Sequence, residues 1–584
     1  MIVLGLSGLP NAQDHLRRTT PGLTTVDERI CQGLDSAAAL VVDGRVVAAA
    51  AQERFCGDKG TGRLPVDAID YCLRTAGVKP EQVQVVAHGF NYDRFRRAFA
   101  GNLGFLDEVL SGRTVVDGLE AAGWRNVADR FHPVDHHLAH AASAYLPSGF
   151  DSALCVVSDG MGETTSLSVY RARDGQFDQL LTQPISASLG LLYSICTRFL
   201  GFQFNSDEYK VMGLAAYGSP ERYRSLFTKL VHLDPERGAV RVDWPRGCLV
   251  DPERGYPAAR AWLESVAFTP RPPDGQVHRE EADFAAALQA RLTEVLLGLV
   301  AHWQQRTGER DLCLAGGTFL NCRANQELCD LPSVDRAFVQ PAAGDDGTAL
   351  GAALYAANAK GDRYADPLPF DPYTGPAYTS DEVGAALERL RGHGVAWRYV
   401  GMTDEYFRAA AEDIAADRII AWFHGRMEFG PRALGNRSIL GLPSGDQIKE
   451  RINSLVKFRE PFRPFAPAVL DEDVESLFQT RALSPTSYML CTAPVRPERQ
   501  DSIRGVVHAD GTARLQRVDR SLNETFWRLL RQMKEATGVG CVVNTSFNVK
   551  GQPLIMDPDT ALDTFVRTSL NRLYIEGYQV WKTS

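Results

Sequence analysis

The chain has 584 residues, too many for a single hydrophobic core, so two or more domains are expected. Hydrophobic residues make up 44% of the sequence and charged residues 23%, which is ordinary for a soluble globular protein. The formal net charge of −9 argues against a large nucleic-acid-binding face, which would be basic, although a local phosphate pocket is compatible with it.

The cysteines and the N-terminus bear on the cellular compartment. The sequence has eleven cysteines, an odd number, without a CxxC pair, and several lie in apolar runs, which predicts reduced thiols. Residues 1–7 are apolar with no basic region before them, which is typical of a first strand and not of a signal peptide. No apolar stretch is expected to be long enough to span a bilayer. We therefore predict a cytoplasmic protein without a membrane segment.

The first elements in chain order are a strand over residues 1–8 and a polar, irregular loop over residues 9–33. Two strands around an Asp43-Gly44 turn then predict a hairpin. A helix follows from Pro65 to Ala76, and the next strand spans Val83–His88.

The same order of elements returns later in the chain. Strands are predicted at residues 153–158 and 164–170, followed by a turn at 174–175 and a third strand around 180–181. A long amphipathic helix is expected over residues 281–306, after a surface insertion at 219–280. Two such units predict an α/β fold of the duplicated actin/sugar-kinase-like (ASKHA) type, in which a nucleotide lies between the two halves.

A pair of histidines at helical spacing is the most informative local pattern. His136 and His140 lie one helical turn apart, so their imidazoles point the same way and can share a divalent metal. Asp159 follows a short buried strand, and an acidic turn at Asp345-Asp346 could complete the site. A lone HxxxH is more often a pair of surface polar residues, but the nearby carboxylates favour the metal.

Two further patterns indicate anion binding. Gly316-Gly317 and Asn321 lie in a strand–turn–helix arrangement whose backbone N–H groups can meet phosphate, although such a turn is by itself more often only a tight turn. After a predicted linker at 361–380, four segments rich in Arg, Lys or small polar residues predict a phosphate pocket. Any one of these segments alone could equally face solvent.

With these patterns in view, the chain resembles the NodU/CmcH family of carbamoyltransferases, found in nodulation-factor and antibiotic biosynthesis. The similarity is spread over nearly the whole sequence. The segments that carry it are LDSAAALV, QERF, HHLAHAASAY, SDGMGE, SLGLLYS, EYKVMGLAAYG, AGGTFLNCRAN, GDDGTALGAAL, GRMEFGPRALGNRSIL, KFREPFRPFAPAVL and NTSFN.

The resemblance implies two modules: an ASKHA-like carbamoyl-transfer domain over residues 1–360 and a YrdC-like α/β domain over residues 381–584. It implies that the second makes carbamoyl-adenylate from carbamoyl phosphate and ATP, and that the first transfers the carbamoyl group to an acceptor hydroxyl in secondary metabolism. The implied cofactors are ATP with Mg²⁺ and a divalent metal, with Fe²⁺ as the first choice. The implied partners are carbamoyl phosphate, ATP and a small-molecule acceptor, without nucleic acid or membrane, and with a homodimer as a possible assembly.

The resemblance also implies roles for individual positions. The matched metal ligands are His136, His140, Asp159 and Asp345, with Asp346 as the alternative to Asp345. In the same module the nucleotide turn is matched by Gly316, Gly317 and Asn321, and Lys210 lies in a catalytic segment. The positions matched to carbamoyl phosphate and ATP binding are Arg432, Lys457, Arg463, Arg514, Asn544 and Ser546.

One departure from the family affects the general base. The family commonly has a His before the Asp of the DSAA motif, and here that position is Leu34, after the unusually long segment 9–33. Either His15 or Asp35 could serve instead, or no base is needed. The rival interpretations are a tRNA threonylcarbamoyl-type transferase, which the acidic charge disfavours, and an ASKHA-fold small-molecule kinase, which leaves the Arg-rich second module unexplained.

Overall fold

The computed structural model describes residues 1–23, 27–98, 103–273, 275–445, 447–457, 460–481 and 485–583. Residues 24–26 of the predicted loop, and Arg459 in one of the Arg-rich segments, therefore lie outside the described residues. The chain divides into two compact units. The first comprises Met1–Glu53 and Gly60–Phe370, and the second comprises Arg54–Lys59 and Asp371–Ser584.

The strands of the first unit are, in chain order, β1 Ile2–Leu6, β2 Ala37–Val42, β3 Arg45–Ala51, β4 Val85–His88, β5 Phe131–Pro133, β6 Ser152–Gly162, β7 Thr165–Arg173, β8 Gln176–Pro184, β9 Val231–Asp234, β10 Ala239–Val242, β11 Leu312–Ala315 and β12 Ala337–Val339. The helices up to α14 are α1 Ala12–Thr19, α2 Glu53–Cys56, α3 Val66–Ala76, α4 Tyr92–Ala98, α5 Leu103–Glu108, α6 Gly112–Ala121, α7 His136–Tyr145, α8 Leu189–Phe199, α9 Glu208–Ala215, α10 Arg224–Leu230, α11 Pro257–Val266, α12 Arg279–Thr307, α13 Cys322–Cys329 and α14 Asp346–Ala359.

Two five-stranded sheets in this unit repeat one topology. The first has the order β3-β2-β1-β4-β5 and the second has the order β8-β7-β6-β11-β12. In each, the first strand in the chain pairs antiparallel with the second strand and parallel with the fourth, so β1 pairs with β2 and β4 as β6 pairs with β7 and β11. This matched order confirms the duplicated actin/sugar-kinase-like α/β fold predicted from the sequence.

The segment 9–33 is not the irregular loop that its polar composition predicted. It contains helix α1 and a 3₁₀ turn at Asp27–Ile30. Helix α1 has Asp14 in its first turn and basic residues in its last turn, which suits the charge at each end of the helix dipole. The backbone N–H of Leu9 donates to the carbonyl of Gly33, so the two ends of the segment lie side by side. We call residues 9–33 the excursion.

Helix α12 departs from the expectation that no apolar stretch could span a bilayer. By length and composition it could do so, since it contains an 18-residue window of mean hydropathy 1.5. Of that window, 67% is buried inside the structure. Burial of this kind is that of a core helix, and Phe284 on α12 packs against Phe199 of α8 at 5.2 Å between ring centroids.

The strands of the second unit are β13 Val395–Tyr399, β14 Ile420–Phe423, β15 Arg437–Gly441, β16 Ala466–Leu470, β17 Thr492–Pro494, β18 Thr512–Arg514, β19 Gln516–Val518, β20 Cys541–Ser546, β21 Arg572–Ile575 and β22 Tyr578–Lys582. The helices are α15 Ser380–Arg389, α16 Asp404–Ala415, α17 Ile448–Ile452, α18 Val474–Leu477, α19 Glu524–Thr537 and α20 Pro558–Arg567, and a π-helical turn spans Asn453–Lys457.

An eight-stranded mixed sheet, in the order β13-β22-β21-β14-β15-β20-β16-β19, is the centre of this unit. Alternate residues of its strands face two different cores. On β14, Ala421 and Phe423 belong to one hydrophobic cluster, whereas Ile420 and Trp422 belong to the other. The sheet is therefore covered on both faces, and the mixed α/β character predicted for the C-terminal part is confirmed.

Candidate metal centre and candidate anion site

The histidine pair lies where helix α7 packs most closely against α14. His136 and His140 are both fully buried, and their ring centroids lie 4.7 Å apart with the ring planes at 90°. The close approach of the two helices depends on Gly351, because a Cβ at that position would lie 1.8 Å from the carbonyl oxygen of Ala139. This packing brings the start of α14, which carries Asp345, towards the histidines.

Two carboxylates complete the group. Asp159 lies on β6, and Asp345 immediately precedes α14. The Nε2 atom of His136 lies 3.4 Å from Asp159 Oδ2 and 3.5 Å from Asp345 Oδ1. The Nε2 atom of His140 lies 3.9 Å and 3.7 Å from the same two oxygens. The structure thus brings together the four residues predicted as metal ligands.

The donor set fits a divalent metal. The four ligand atoms all lie within 4.8 Å of one another. Among the described residues, His136 Nε2, both ring nitrogens of His140 and Asp159 Oδ1 are buried without a hydrogen-bond partner. Unpartnered buried polar atoms are costly, and two imidazoles with two carboxylates suit metals such as Fe²⁺, Mn²⁺ or Zn²⁺. That the four residues bind a metal, and which one, stays a prediction.

The fallback ligand, Asp346, has another role. Its carboxylate accepts the backbone N–H of Gly347 in the first turn of α14. Asp345, and not Asp346, is therefore the acid of this turn that lies in the cluster.

The charges within the cluster oppose one another. Burial acts to lower the pKa of His136, but Asp345 and Asp159 raise it well above its usual value. Burial, together with the charge on His136, lowers the pKa of His140. Burial acts to raise the pKa of Asp345, but the two histidines hold it at about 2, and the pKa of Asp159 is also depressed. One imidazolium between two carboxylates leaves an excess of negative charge, which favours a cation.

Neighbouring groups hold two of the four ligands in place. The Nδ1–H of His136 lies 2.9 Å from the carbonyl oxygen of Gly89 and donates to it, which leaves Nε2 for a metal. The adjacent His137 bonds Asp159 Oδ2 through Nε2 at 3.1 Å, while its Nδ1 lies 2.8 Å from Ser168 Oγ. The sequence reasoning missed His137, although the HH dipeptide in the motif was a signal for it.

The three residues predicted as catalytic lie on different elements of the first unit. Lys210 on α9 forms an ion pair with Asp207, with its Nζ 3.0 Å from Oδ2. His15 on α1 bonds Glu108 through Nδ1 at 2.9 Å. Asp35 is exposed in the left-handed region, at φ +56°, directly before β2. Their catalytic roles stay predictions.

Two of the three residues of the predicted nucleotide turn, Gly316 and Asn321, have structural roles in the fold. Gly316 has a φ of +98°, and a Cβ there would lie 2.3 Å from the carbonyl oxygen of Ser158, so the glycine allows β11 to pack beside the strand that carries Asp159. A Cβ at Gly317 would meet open space. The Asn321 side chain caps α13 by accepting the N–H of Ala324, and it exchanges hydrogen bonds with Gln289. The nucleotide role of these three residues stays a prediction.

In the second unit, Lys457 is surrounded by oxygen atoms. Its side chain is almost fully buried, and Nζ donates to the carbonyl and hydroxyl oxygens of Ser546 and to the carbonyl and Oδ1 of Asn548. The bond to Asn548 Oδ1 is 2.7 Å long. Ser546 Oγ also donates to Asn548 Oδ1, at 2.7 Å. Asn548, which was not among the predicted site residues, therefore belongs to this group.

Of the other predicted phosphate-binding residues, Asn544 lies on the same strand, β20, and the three arginines lie close in sequence to residues that bond or pair with this strand. Asn544 Nδ2 donates to the carbonyl of Ala433, the neighbour of Arg432, and to Oε1 of Gln516, two residues after Arg514. Asn544 Oδ1 is buried without a partner in the described part of the chain. Arg463 forms an ion pair with Glu460, with Nη1 3.5 Å from Oε2, shortly before β16, which pairs with β20.

Comparison with known proteins gives family matches in both units. Residues 125–354 match the family model "Carbamoyltransferase N-terminus", and residues 411–582 match "Carbamoyltransferase C-terminus". The nodulation protein NolNO of Sinorhizobium fredii is 37% identical over 94% of this chain and 79% of its own length. An uncharacterized protein of Synechocystis, sll1178, is 35% identical over 94% of this chain and 95% of its own length.

Solved structures align less closely. Component A of (R)-2-hydroxyglutaryl-CoA dehydratase from Acidaminococcus fermentans covers 61% of this chain with a TM-score of 0.31 and 15% identity, and 97% of that chain is matched. A TM-score of this size supports no inference about function. The family matches support one, because they span both units and the sequence relatives cover most of the chain. The chain therefore belongs to the carbamoyltransferase family and is a carbamoyltransferase.

Proposed function

We propose that the enzyme joins carbamoyl phosphate and ATP into carbamoyl-adenylate in its second unit, and in its first unit transfers the carbamoyl group to a hydroxyl of a small-molecule natural product. Water releases phosphate from carbamoyl phosphate, and an oxygen of the resulting carbamate attacks the α-phosphorus of ATP with loss of pyrophosphate. The acceptor oxygen then attacks the carbamoyl carbon, AMP leaves, and the acceptor loses its proton. The buried His136, His140, Asp159 and Asp345 cluster, in a chain of this family, carries the proposal.

In the second unit the reaction needs positive charge around phosphate groups. Lys457 supplies a buried ammonium fixed by oxygen atoms of Ser546 and Asn548. Arg432, Arg463 and Arg514 carry the planar guanidinium groups that bind phosphate oxygens in pairs. A charge fixed before the reaction stabilises the transition state without reorganisation, which is the main requirement of phosphoryl and adenylyl transfer.

In the first unit, the four clustered side chains would hold a divalent metal, with Fe²⁺ as the first candidate. When bound, such a metal supplies Lewis-acid polarisation of an oxygen atom. The Gly89 carbonyl fixes the tautomer of His136, and His137 orients the Asp159 carboxylate.

A base within hydrogen-bond reach would accept the acceptor's proton. We propose Asp35 for this step because it is a carboxylate exposed to solvent, in the DSAA motif where the family places its candidate base. Asp35→Asn is expected to lower the transfer rate and to leave pyrophosphate formation unchanged. Equal transfer rates in the variant and the wild type would remove Asp35 from the mechanism.

The products separate this proposal from its rivals. Incubation with ATP and carbamoyl phosphate is expected to give AMP and pyrophosphate, and an acceptor is expected to gain the mass of one carbamoyl group. Production of ADP instead would indicate a kinase, and modification of tRNA would indicate a threonylcarbamoyl-type transferase. Failure to form pyrophosphate from ATP and carbamoyl phosphate would overturn the adenylate route.

A further inference from the structure

The end of the excursion 9–33 is attached to the strand that carries a metal ligand. Gln32 Nε2 donates to the carbonyl oxygen of Glu163 at 3.0 Å, and the N–H of Glu163 donates to Gln32 Oε1 at 3.1 Å. The carboxamide thus pairs with both backbone groups of one residue, as a neighbouring strand would. Glu163 follows β6, four residues after Asp159.

Glu163 itself holds the start of the histidine helix. Its side chain is almost fully buried, and Oε1 accepts the backbone N–H groups of Asn91 and of His136, the latter at 3.1 Å. Its Oε2 lies 3.4 Å from Arg94 Nε. Glu163 adopts a φ of +59°, which is uncommon for a residue with a side chain and is retained only where surrounding groups fix it.

The backbone of this turn lies close to the side chains of two histidines. A Cβ at Gly162 would lie 2.5 Å from Cδ2 of His136 and 2.9 Å from Cδ2 of His137. A displacement of the Gly162–Glu163 turn would therefore press on the ligand His136 and on His137, the group that orients Asp159.

We propose that Gln32 is a positioning residue of the metal centre, which acts through the backbone of Glu163. The excursion then contributes to the reaction, because it holds the Gly162–Glu163 turn, and this turn supports the proposed ligands His136 and Asp159. The inference rests on the proposed function only in taking the four clustered side chains as metal ligands. It requires neither the adenylate route nor a particular acceptor.

The same segment offers a matched control. Gln13, on α1, also uses its carboxamide to hold a backbone group, since Oε1 accepts the N–H of Gly62 at 3.0 Å. Gln13→Ala therefore removes an anchor of the excursion that does not lead to Glu163. Gln32→Ala removes both bonds to Glu163, and the isosteric Gln32→Glu removes the donor alone.

The test measures metal binding and backbone exchange without turnover. Metal-free full-length protein is titrated with Co²⁺, whose visible spectrum reports ligand geometry. Gln32→Ala is expected to raise the Kd for Co²⁺ about tenfold and to alter the spectrum, as is usual for partners that orient ligands. Gln32→Glu is expected to fall between Gln32→Ala and the wild type. Amide hydrogen exchange in metal-free protein is expected to accelerate at Glu163 and His136 in Gln32→Ala.

Three results would overturn the inference. The Kd and spectrum of Gln32→Ala could equal those of the wild type. Gln13→Ala could weaken Co²⁺ binding as much as Gln32→Ala, which would mean that the excursion only stabilises the fold. Wild-type protein that binds no Co²⁺ would remove the metal centre and this inference together, whereas pyrophosphate formation would still report on the adenylate route.

Discussion

The predicted metal-ligand cluster of the first unit and the Lys457 site of the second are both buried, but they differ in whether their buried polar atoms have hydrogen-bond partners. In the cluster, Nε2 of His136 and both ring nitrogens of His140 have no hydrogen-bond partner within the described residues. At the second site, the ammonium of Lys457 donates to oxygen atoms of Ser546 and Asn548. The cluster thus leaves buried nitrogen atoms available to the proposed cation, whereas the lysine is held as a fixed charge by the protein itself.

This difference indicates two ways of preparing a site. Unpartnered buried groups raise the free energy of the empty site, and a ligand that pairs with them recovers that energy. A fully bonded ammonium costs less in the empty site, and it presents its charge without having to be ordered by the substrate. Four substitutions test this difference, and they are given in order of decreasing expected effect.

His140→Ala removes a ligand from the cluster and should cause the largest loss. Metal content, measured by atomic absorption, and carbamoyl transfer are both expected to fall by more than about 100-fold, beyond the range for groups that merely orient ligands. Pyrophosphate formation, which we assign to the second unit, should stay within about twofold of the wild type. His132→Ala is the control, because His132 is exposed and outside the cluster. A variant that keeps its metal and its transfer activity would contradict the assignment.

Lys457→Met leaves four oxygen atoms of Ser546 and Asn548 without their cation. Because buried unsatisfied acceptors are costly, the free energy of unfolding in urea is expected to fall by about 2–4 kcal/mol, and pyrophosphate formation should be lost. Lys449→Met serves as the control, since that lysine is half-buried and donates to the carbonyl of Val507. Normal pyrophosphate formation in the Lys457 variant would show that the lysine has only a structural role.

Ser168→Ala removes the hydroxyl that bonds Nδ1 of His137. His137 would then be free to change tautomer, and the affinity of the cluster for metal is expected to fall about tenfold. Ser166→Ala, on the same strand, deletes a hydroxyl that instead donates to the carbonyl of Pro184 at 2.8 Å. Equal metal affinities in the two variants would rule out the positioning role of His137.

Ser438→Ala should have the smallest effect and the opposite sign. The Oγ of Ser438 is fully buried without a partner in the part of the chain that the structure describes. Its deletion is expected to leave the free energy of unfolding unchanged or raise it by about 1 kcal/mol. Ser546→Ala, on the paired strand, removes a bonded hydroxyl and should destabilise the protein. A comparable loss in both variants would mean that Ser438 has a partner after all.

Local spacing explains what the sequence predicted well. The spacing of His136 and His140 needs only a helix to place them side by side, and the acids follow predicted strands or turns. The repeated order of strands could be predicted because each hairpin and each buried strand has its own local sequence pattern. The identity of the carboxylate at the start of α14 was fixed only by the fold, which directs Asp345 to the cluster and Asp346 back to the N–H of Gly347.

Long-range contacts account for what the sequence did not show. Helix α1 is short and polar, and its His15 and Arg18 both bond Glu108. Glu108 lies more than ninety positions after His15 in the sequence. The exchange of hydrogen bonds between the amides of Asn321 and Gln289, which lies on another helix, was likewise not evident from the sequence, and the nucleotide role of Asn321 stays a prediction. Pairings of this kind leave no periodic trace in the sequence.

The short stretch Arg54–Lys59 belongs to the second unit, although it lies within the sequence of the first. Arg54 donates to the carbonyl of Gly430 at 2.9 Å, in the loop that carries Arg432. A gene truncated to begin at residue 371 would therefore encode the second unit without its segment Arg54–Lys59. An adenylation assay on that fragment would report on a damaged protein. Separating the two proposed half-reactions by truncation requires these six residues to be restored, either as an added peptide or by fusion.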